Sequence, residues 1–574
     1  MVGSDASGLF LGFDLSTQQL KCLIVDSALN IKSTVVVDYD RDLSEFGTSH
    51  GVYEQGEGVV EAPVAMWLRA VDVCFEKLAK IVDLRQVVAI SGSCQQHGAV
   101  FWNEKAAVAL ERLDTGMGLE EQLSVCLSRP MATNWQDHST GVQCGQFEQV
   151  CGGAECLAQL TGSRAHYRFT GPQIKKIHDL EPETYRNTRN ISLVSSFLAS
   201  IIVGKMTPLE EADACGMNLY DIEQRKYSPA LLEMVGDMDL ERKLGGSPLK
   251  SSSDPFLLGT VSPYFSKKYG LNQECEVYTF TGDNLATICS LPLKNNDVLV
   301  SMGTSTTVLL VTEHYRPSSN YHLFIHPTIP GHYMGMICYS NGSLARLQVC
   351  KSLGGAEDWE HFTSVLEDPT VDITNEIGVY FPVPEIVPSL QNPVTKRAII
   401  HDNNDLAVVD SFADASHDVK NIVFSQALSC RVRMAQLLDG NESSRSIGTT
   451  TFDGQRYPLE VFNRRPNRVF FVGGASKNTL LVRSFADILG ATEGNYRLKT
   501  PNSCALGGCY KAMWSHLYHN KQVSDGFASW LDRTFKWDID TEFICDTNQN
   551  NWEMSSYKIT ALSRLESMLE STKR

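Results

Sequence analysis

Hydroxyl-rich tips set between apolar runs occur twice in this chain, at Phe13-Asp14-Leu15-Ser16-Thr17-Gln18 and at Ser301-Met302-Gly303-Thr304-Ser305-Thr306-Thr307. In each case the apolar pattern resumes at once, over 21–25 and over 308–311. Such a tip can bind an anion, because hydroxyls and turn amides donate to phosphate oxygens while the flanking strands keep the tip rigid. Either segment alone reads more readily as an ordinary hairpin with a Ser/Thr turn; two copies point to a duplicated phosphate-binding unit. A third segment, Val472-Gly473-Gly474-Ala475-Ser476-Lys477-Asn478, ends an apolar strand. It precedes Leu481, Phe485 and Leu489 at helical spacing, with Gly490 placed to cap the helix. Two glycines at a strand-to-helix junction let a flat ring or a phosphate approach the backbone beside the positive end of the helix dipole. The plainer alternative is a tight turn of any α/β protein.

The elements that must hold these tips follow from the apolar periodicity. Strands are expected near 9–14, 20–26, 32–38, 87–91 and 99–102, with an amphipathic helix from Ala62 to Val82 and a mainly helical stretch from Trp135 to Val235. The strand-rich pattern restarts after about Thr281. Segments 392–405 and 439–468 read as polar, loop-rich insertions on the surface. The expected fold class is therefore α/β, in two halves spanning 1–281 and 282–574, each opening with a phosphate hairpin and facing a shared cleft where ligands bind.

At 574 residues, with 43% hydrophobic and 20% charged side chains, the chain can bury more than one core. A formal net charge of −17 opposes general binding to nucleic acid or to an anionic membrane, and neither is expected as a partner. No apolar run reaches membrane-spanning length. The sixteen cysteines include no Cys-x-x-Cys pair, so neither a zinc ribbon nor a redox dithiol is expected, and a reduced, cytoplasmic setting is the simple inference.

Longer motifs make a family visible. Phe13-Asp14-Leu15-Ser16-Thr17-Gln18, Gln95-Gln96-His97-Gly98, Asn134-Trp135-Gln136-Asp137, Tyr167-Arg168-Phe169-Thr170-Gly171, Gly282-Asp283-Asn284, Ser301-Met302-Gly303-Thr304-Ser305 and Gly473-Gly474-Ala475-Ser476 together resemble the FGGY family of carbohydrate kinases. Within the family the resemblance is to its xylulose-phosphorylating branch in eukaryotes, and it runs over nearly the whole chain. Two features depart from the general pattern: Lys176-Ile177-His178 stands where many members place a tryptophan after the lysine, and the C-terminal signature near 418–438 is imperfect.

The resemblance implies two actin-like, ribonuclease-H-like domains around an interdomain catalytic cleft, the first binding sugar and the second nucleotide. It implies ATP-dependent conversion of D-xylulose to D-xylulose 5-phosphate, which feeds the pentose phosphate pathway, with a small-molecule sugar, ATP and Mg2+ as ligands. Another ketopentose or polyol is the near alternative, and an actin-like switching ATPase the distant one; the oligomeric state is left open. Phosphoryl transfer to a sugar hydroxyl needs a carboxylate within hydrogen-bond reach of that hydroxyl and a polyphosphate held in line. The resemblance gives the base role to Asp283, whose type and position also suit a helix N-cap. It places His97, Arg168 and Asn284 with Asp283 around the sugar, where a polyol must have its many hydroxyls paired. Trp135 reads either as an apolar wall of that pocket or as a packing residue. Asp14 is implied at the magnesium ion, Thr17, Gln18, Gly303, Thr304 and Ser305 at the phosphates, and Gly473, Gly474, Ala475 and Asn478 at the adenosine.

Overall fold

The computed structural model describes residues 8–236, 239–252, 254–355, 357–402, 405–440 and 448–570. The first apolar run forms β1 (Leu9–Leu15), which turns at Ser16-Thr17-Gln18 into β2 (Gln19–Asp26) and then β3 (Ile31–Asp38). Phe10, Leu11, Phe13 and Leu15 of β1 are all fully buried, so the strand is covered on both faces and shows no polar alternation. Helix α1 (Val64–Leu78) covers one face with Trp67, Leu68, Val71 and Phe75. It is shorter than the 62–82 expected, because Val60–Pro63 is a strand that pairs with Met131–Thr133 and leaves Pro63 at the N-cap. The sheet is completed by β4 (Val87–Cys94), β5 (Leu257–Thr260), β6 (Glu276–Tyr278) and the two-residue β7 (Thr281–Gly282), which lies beside the end of β4. Between β4 and β5 the chain is mainly helical, including α2 (Thr170–Leu180); α3 (Asp283–Ile288) starts directly after β7.

The second half repeats the plan. Its strands are β8 (Val298–Met302), β9 (Thr306–Thr312), β10 (His322–Ile325) and β11 (Tyr333–Tyr339). The long buried helix α4 (Ala415–Leu437) follows, then β12 (Val469–Val472), α5 (Thr479–Leu489), β13 (Asn495–Leu498), α6 (Ser503–His519) and β14 (Thr541–Cys545). Read across the sheets, β3-β2-β1-β4-β6-β5 and β11-β9-β8-β12-β13-β14 follow one series of pairings: antiparallel, antiparallel, parallel, parallel, antiparallel. The two phosphate-type hairpins, β1-β2 and β8-β9, occupy equivalent places in this series. β10 extends the second sheet at one edge.

Helix α6 belongs by sequence to the second half, yet it packs on β1 and β4 of the first sheet and on α3. The contact is backbone against backbone. A Cβ on Gly12 would stand 2.1 Å from the Ala505 carbonyl oxygen, and one on Gly507 would stand 1.9 Å from that of Ala286. Substituting Gly507 by alanine must therefore push α3 away from α6. The expected cost, by analogy with overpacked cores, is about 1–3 kcal/mol, read as a lowered melting temperature. An unchanged melting curve would show that this contact is not fixed.

Both insertions hold more structure than the polar composition suggested. Val394–Ile400 is the central strand of a small sheet with Glu376–Phe381 and Leu406–Val409, and its half-exposed position explains how Lys396 and Arg397 fit within it. In the second insertion Thr449–Phe452 pairs with Gln455–Pro458, and Phe452 and Phe462 are buried in the core of this half. Residues 403–404 and 441–447 of those segments lie outside the described residues. Among the described residues no helix is long and apolar enough to cross a membrane, and all sixteen cysteines are free thiols.

Candidate active site

Asp283 is the first residue of α3, set there because β7 ends beside β4 at Gly282. It does not act as the N-cap: Gly282 holds that position, and no side chain caps the helix. The Asp283 Oδ1 accepts instead from the backbone N–H of Asn284 at 2.8 Å and from the Asn284 side-chain amide at 3.1 Å. That amide also lies 3.3 Å from Gln96 Oε1, at the end of β4. Burial raises the Asp283 carboxyl to about 7, and the nearby Asp14 carboxylate adds to the rise. Asp14, on β1, is 2% exposed. Its own carboxyl is raised by burial against the opposing pull of Lys21, whose Nζ lies 3.7 Å away, and of the Ser16 and Ser93 hydroxyls. The ends of β1 and β7 thus bring two carboxylates close enough to influence each other. Among the described residues no cluster of three side chains could hold a metal ion. Mg2+ keeps most of its shell as water and phosphate oxygens and takes one or two carboxylates from protein, so Asp14 suits it without a larger donor set.

A group of aromatic and cationic side chains is built around Phe169. His97 follows β4 with φ of 72°, a left-handed conformation that a non-glycine residue rarely adopts without cause. Its Nδ1 lies 2.9 Å from the Gly216 carbonyl, its own carbonyl accepts from Thr170 Oγ1, and its ring stacks on Phe169 with centroids 4.4 Å apart. The carbonyl requires a proton on Nδ1, which leaves Nε2 as the free acceptor. Burial, with Arg168 nearby, lowers the His97 pKa to about 3, so the ring is neutral. Arg168 precedes α2 and is half-buried. Burial lowers its pKa, and the Cys338 and Asp283 groups oppose that shift, which places its guanidinium within electrostatic range of Asp283.

Three further residues, His322, Asp213 and Lys511, were given no role from the sequence. His322 of β10 accepts from Arg168 Nη2 at 3.0 Å, although no motif marks β10. Asp213 accepts from Ser195 Oγ at 2.6 Å and lies 3.5 Å from Gln96 Nε2; burial raises it to about 7. Lys511 of α6, buried and among the described residues without a hydrogen-bond partner, is held below its ordinary pKa by burial, with Glu210, Cys289 and Asp213 opposing.

The two tips are tight turns, and Thr17 Oγ1 of the first lies 3.4 Å from Gln95 Oε1, just after β4. The first is closed by Ser16 N–H donating to the Gln19 carbonyl, and Gln18 is exposed at its apex. Thr17 Oγ1 accepts from the Trp135 indole at 2.7 Å, and Trp135 is 43% exposed, so it covers the tip rather than filling a core. In the second tip Thr304 and Ser305 are exposed, and Gly303 N–H donates to the Ser305 carbonyl at 3.0 Å. Gly473, with φ of 91°, packs on Met302 at the end of β8, so the Gly-Gly turn adjoins that tip. Gly474 has open space where a side chain would stand. The adjoining tip and this open backbone suit a polyphosphate chain with a ring attached. Asn478 is engaged at both ends: its Oδ1 caps α5 by accepting from Leu480 and Leu481 N–H, and its amide donates to Thr363 at 2.8 Å.

Known proteins match along the whole chain. The N-terminal domain model of the FGGY family of carbohydrate kinases matches residues 128–289, and the C-terminal domain model matches 298–516. A xylulose kinase of Saccharomyces cerevisiae is 51% identical over 98% of this chain and 96% of its own length. One of Schizosaccharomyces pombe is 42% identical over 88% of this chain and 89% of its own length. In fold, the chain is similar to a xylulose kinase from Rhodospirillum rubrum, with a TM-score of 0.73 at 14% identity, covering 98% of this chain and 99% of that one. It is also similar to a Plasmodium falciparum glycerol kinase with ADP, with a TM-score of 0.71 at 13% identity, covering 97% and 98%. Because family models match 128–289 and 298–516 and a relative is 51% identical over 98% of the chain, this chain belongs to the FGGY family of carbohydrate kinases.

Proposed function

We propose that this protein transfers the γ-phosphoryl group of ATP to the terminal hydroxyl of D-xylulose, giving D-xylulose 5-phosphate and ADP, and that it works in the cytoplasm. The observation that carries the reading is the carboxylate of Asp283, raised to about 7, hydrogen-bonded to Asn284 and within electrostatic range of the Arg168 guanidinium, which in turn lies near the neutral His97. The relatives named as xylulose kinases support the choice of sugar. A boundary at 281/282 assigns the sugar to the first sheet and the nucleotide to the second, with α6 spanning both.

In this reading Asp283 accepts the proton of the attacking hydroxyl as its oxygen bonds to the γ-phosphorus, and the bond from that phosphorus to the bridging oxygen of ADP breaks. His97 Nε2, Asn284 and Arg168 hold the sugar so that the hydroxyl faces Asp283. Thr17, Gln18, Thr304 and Ser305 donate to the polyphosphate, Gly303 lets it approach the backbone of the second tip, and Gly473, Gly474 and Ala475 leave room for the adenosine. Asn478 contributes by fixing the start of α5 beside it. A magnesium ion held at Asp14 would supply positive charge to the polyphosphate.

A base that must be ionised sets a pH dependence. In the free protein Asp283 is protonated below about 7, so kcat/KM for D-xylulose should fall about tenfold per pH unit below that point and level off above it. A profile that is flat down to pH 5 would contradict the assignment. The reading itself is tested by incubating the protein with MgATP and D-xylulose and locating the phosphate by phosphorus NMR. A single product esterified at C5 is expected; a phosphate at another carbon, or inorganic phosphate alone, would contradict it.

A further inference from the structure

We propose that His322, carried by the second sheet, is a positioning residue of the sugar subsite: it holds the Arg168 guanidinium so that its remaining donors face the sugar. The inference rests on reading Arg168 as a sugar-facing cation. Among the described residues Arg168 has no carboxylate at ion-pair distance, and its hydrogen bond is to His322 Nε2 at 3.0 Å. A guanidinium carries five donors and no acceptor, so Nε2 must be the accepting nitrogen. Nδ1 then bears the proton and donates to Ser163 Oγ, also at 3.0 Å. One tautomer satisfies both contacts, and a protonated ring would set two cations against each other. Burial and Arg168 keep His322 well below its ordinary pKa, in keeping with that neutral tautomer.

The ring cannot swing away. His322 is 2% exposed, lies edge-on to His166 with centroids 4.4 Å apart, and is flanked by Phe169 and Phe324. Phe169 is the same ring on which His97 stacks, so both sugar-facing candidates are braced by one row of rings. The strand is anchored as firmly as the ring. Leu323 N–H donates to the Gly162 carbonyl, and a Cβ on Gly162, whose φ is 76°, would stand 2.1 Å from the Leu323 carbonyl oxygen. β10 is therefore docked by its backbone onto the loop that leads through Ser163 to Arg168. It joins β11 and, through β11, the β9 strand that leaves the Thr304-Ser305 tip. A residue of the nucleotide-bearing sheet thus completes a subsite built by the other half.

His322→Phe keeps a flat ring in the row and removes the acceptor; His322→Leu replaces it in the test should the phenylalanine variant lose its cooperative melting transition. His322→Gln restores a carbonyl oxygen near the Nε2 position. The acceptor-free variant is expected to raise the KM for D-xylulose about tenfold with the KM for ATP within about twofold, and the glutamine variant to recover most of the loss. Combined with Arg168→Ala, it should add nothing to the effect of Arg168→Ala alone, since His322 acts through Arg168. Unchanged sugar KM in the acceptor-free variant, or additive effects in the double variant, would overturn the proposal. Failure of the parent protein to phosphorylate D-xylulose would instead strike at the proposed function.

Discussion

Replacing Asp283 by asparagine is expected to lower kcat by about 10²–10⁴-fold, the range for a positioned general base, while D-xylulose binding measured by calorimetry persists. Asparagine is nearly the same size and can still accept from the Asn284 N–H, so α3 and its contacts with α6 should survive. What the amide cannot do is take a proton from the attacking hydroxyl. Stability supplies an independent check. The folded-state pKa of about 7 lies above the unfolded value near 4, so the protonated form is favoured on folding. The stability present at low pH is lost as pH rises through about 7. Asp283→Asn should therefore melt no lower than the parent at pH 8, and its relative advantage should shrink towards pH 5. Near-normal kcat in a folded variant would remove Asp283 as the base.

The second large effect is expected at Arg168. Arg168→Ala should raise the KM for D-xylulose about tenfold to hundredfold, the value of a charged hydrogen bond worth about 1.5–3 kcal/mol, and leave the KM for ATP nearly unchanged. The reason lies in placement: Arg168 is bonded to His322 and lies above the Phe169 ring with its carbon 5.7 Å from the centroid, on the side of the cleft where His97 stands. Among the described residues no hydrogen bond or ion pair joins Arg168 to the tips at Thr17 and Thr304. Steady-state kinetics with each substrate varied in turn separates the outcomes, and equal weakening of both substrates would place Arg168 elsewhere.

What was legible in the sequence was local. β1-β2 and β8-β9 announced themselves because a hairpin, its apolar strands and its hydroxyl tip lie within about twenty residues, and their equivalence emerged from composition alone. The strand at 469–472, the Gly-Gly turn and the α5 cap at Gly490 were legible for the same reason. The strand at 394–400 was not, since a half-exposed strand in a small sheet carries Lys396 and Arg397 without a clean alternation. The site is harder still, because its members come from six separated stretches. His97 and Arg168 gain meaning only when β4 and the loop before α2 meet, and nothing in their own surroundings distinguishes them from core or surface residues. Asp283 satisfied the local signature of a helix cap, yet the turn at Gly282 makes it the first helical residue and frees its carboxylate for the cleft. His322 lay beyond reach altogether: its role depends on β10 docking against Gly162 through Leu323, a contact between residues 161 positions apart that no periodicity records.

The most direct test of the central claim, that the cleft joins sugar and ATP for phosphoryl transfer, is the rate of ADP release over a panel of pentuloses, hexuloses and polyols and without any sugar. A closed cleft that excludes water should leave ATP turnover slow alone and fast with D-xylulose, with D-xylulose giving the highest kcat/KM of the panel. Sugar-independent ADP release at the full rate would contradict it.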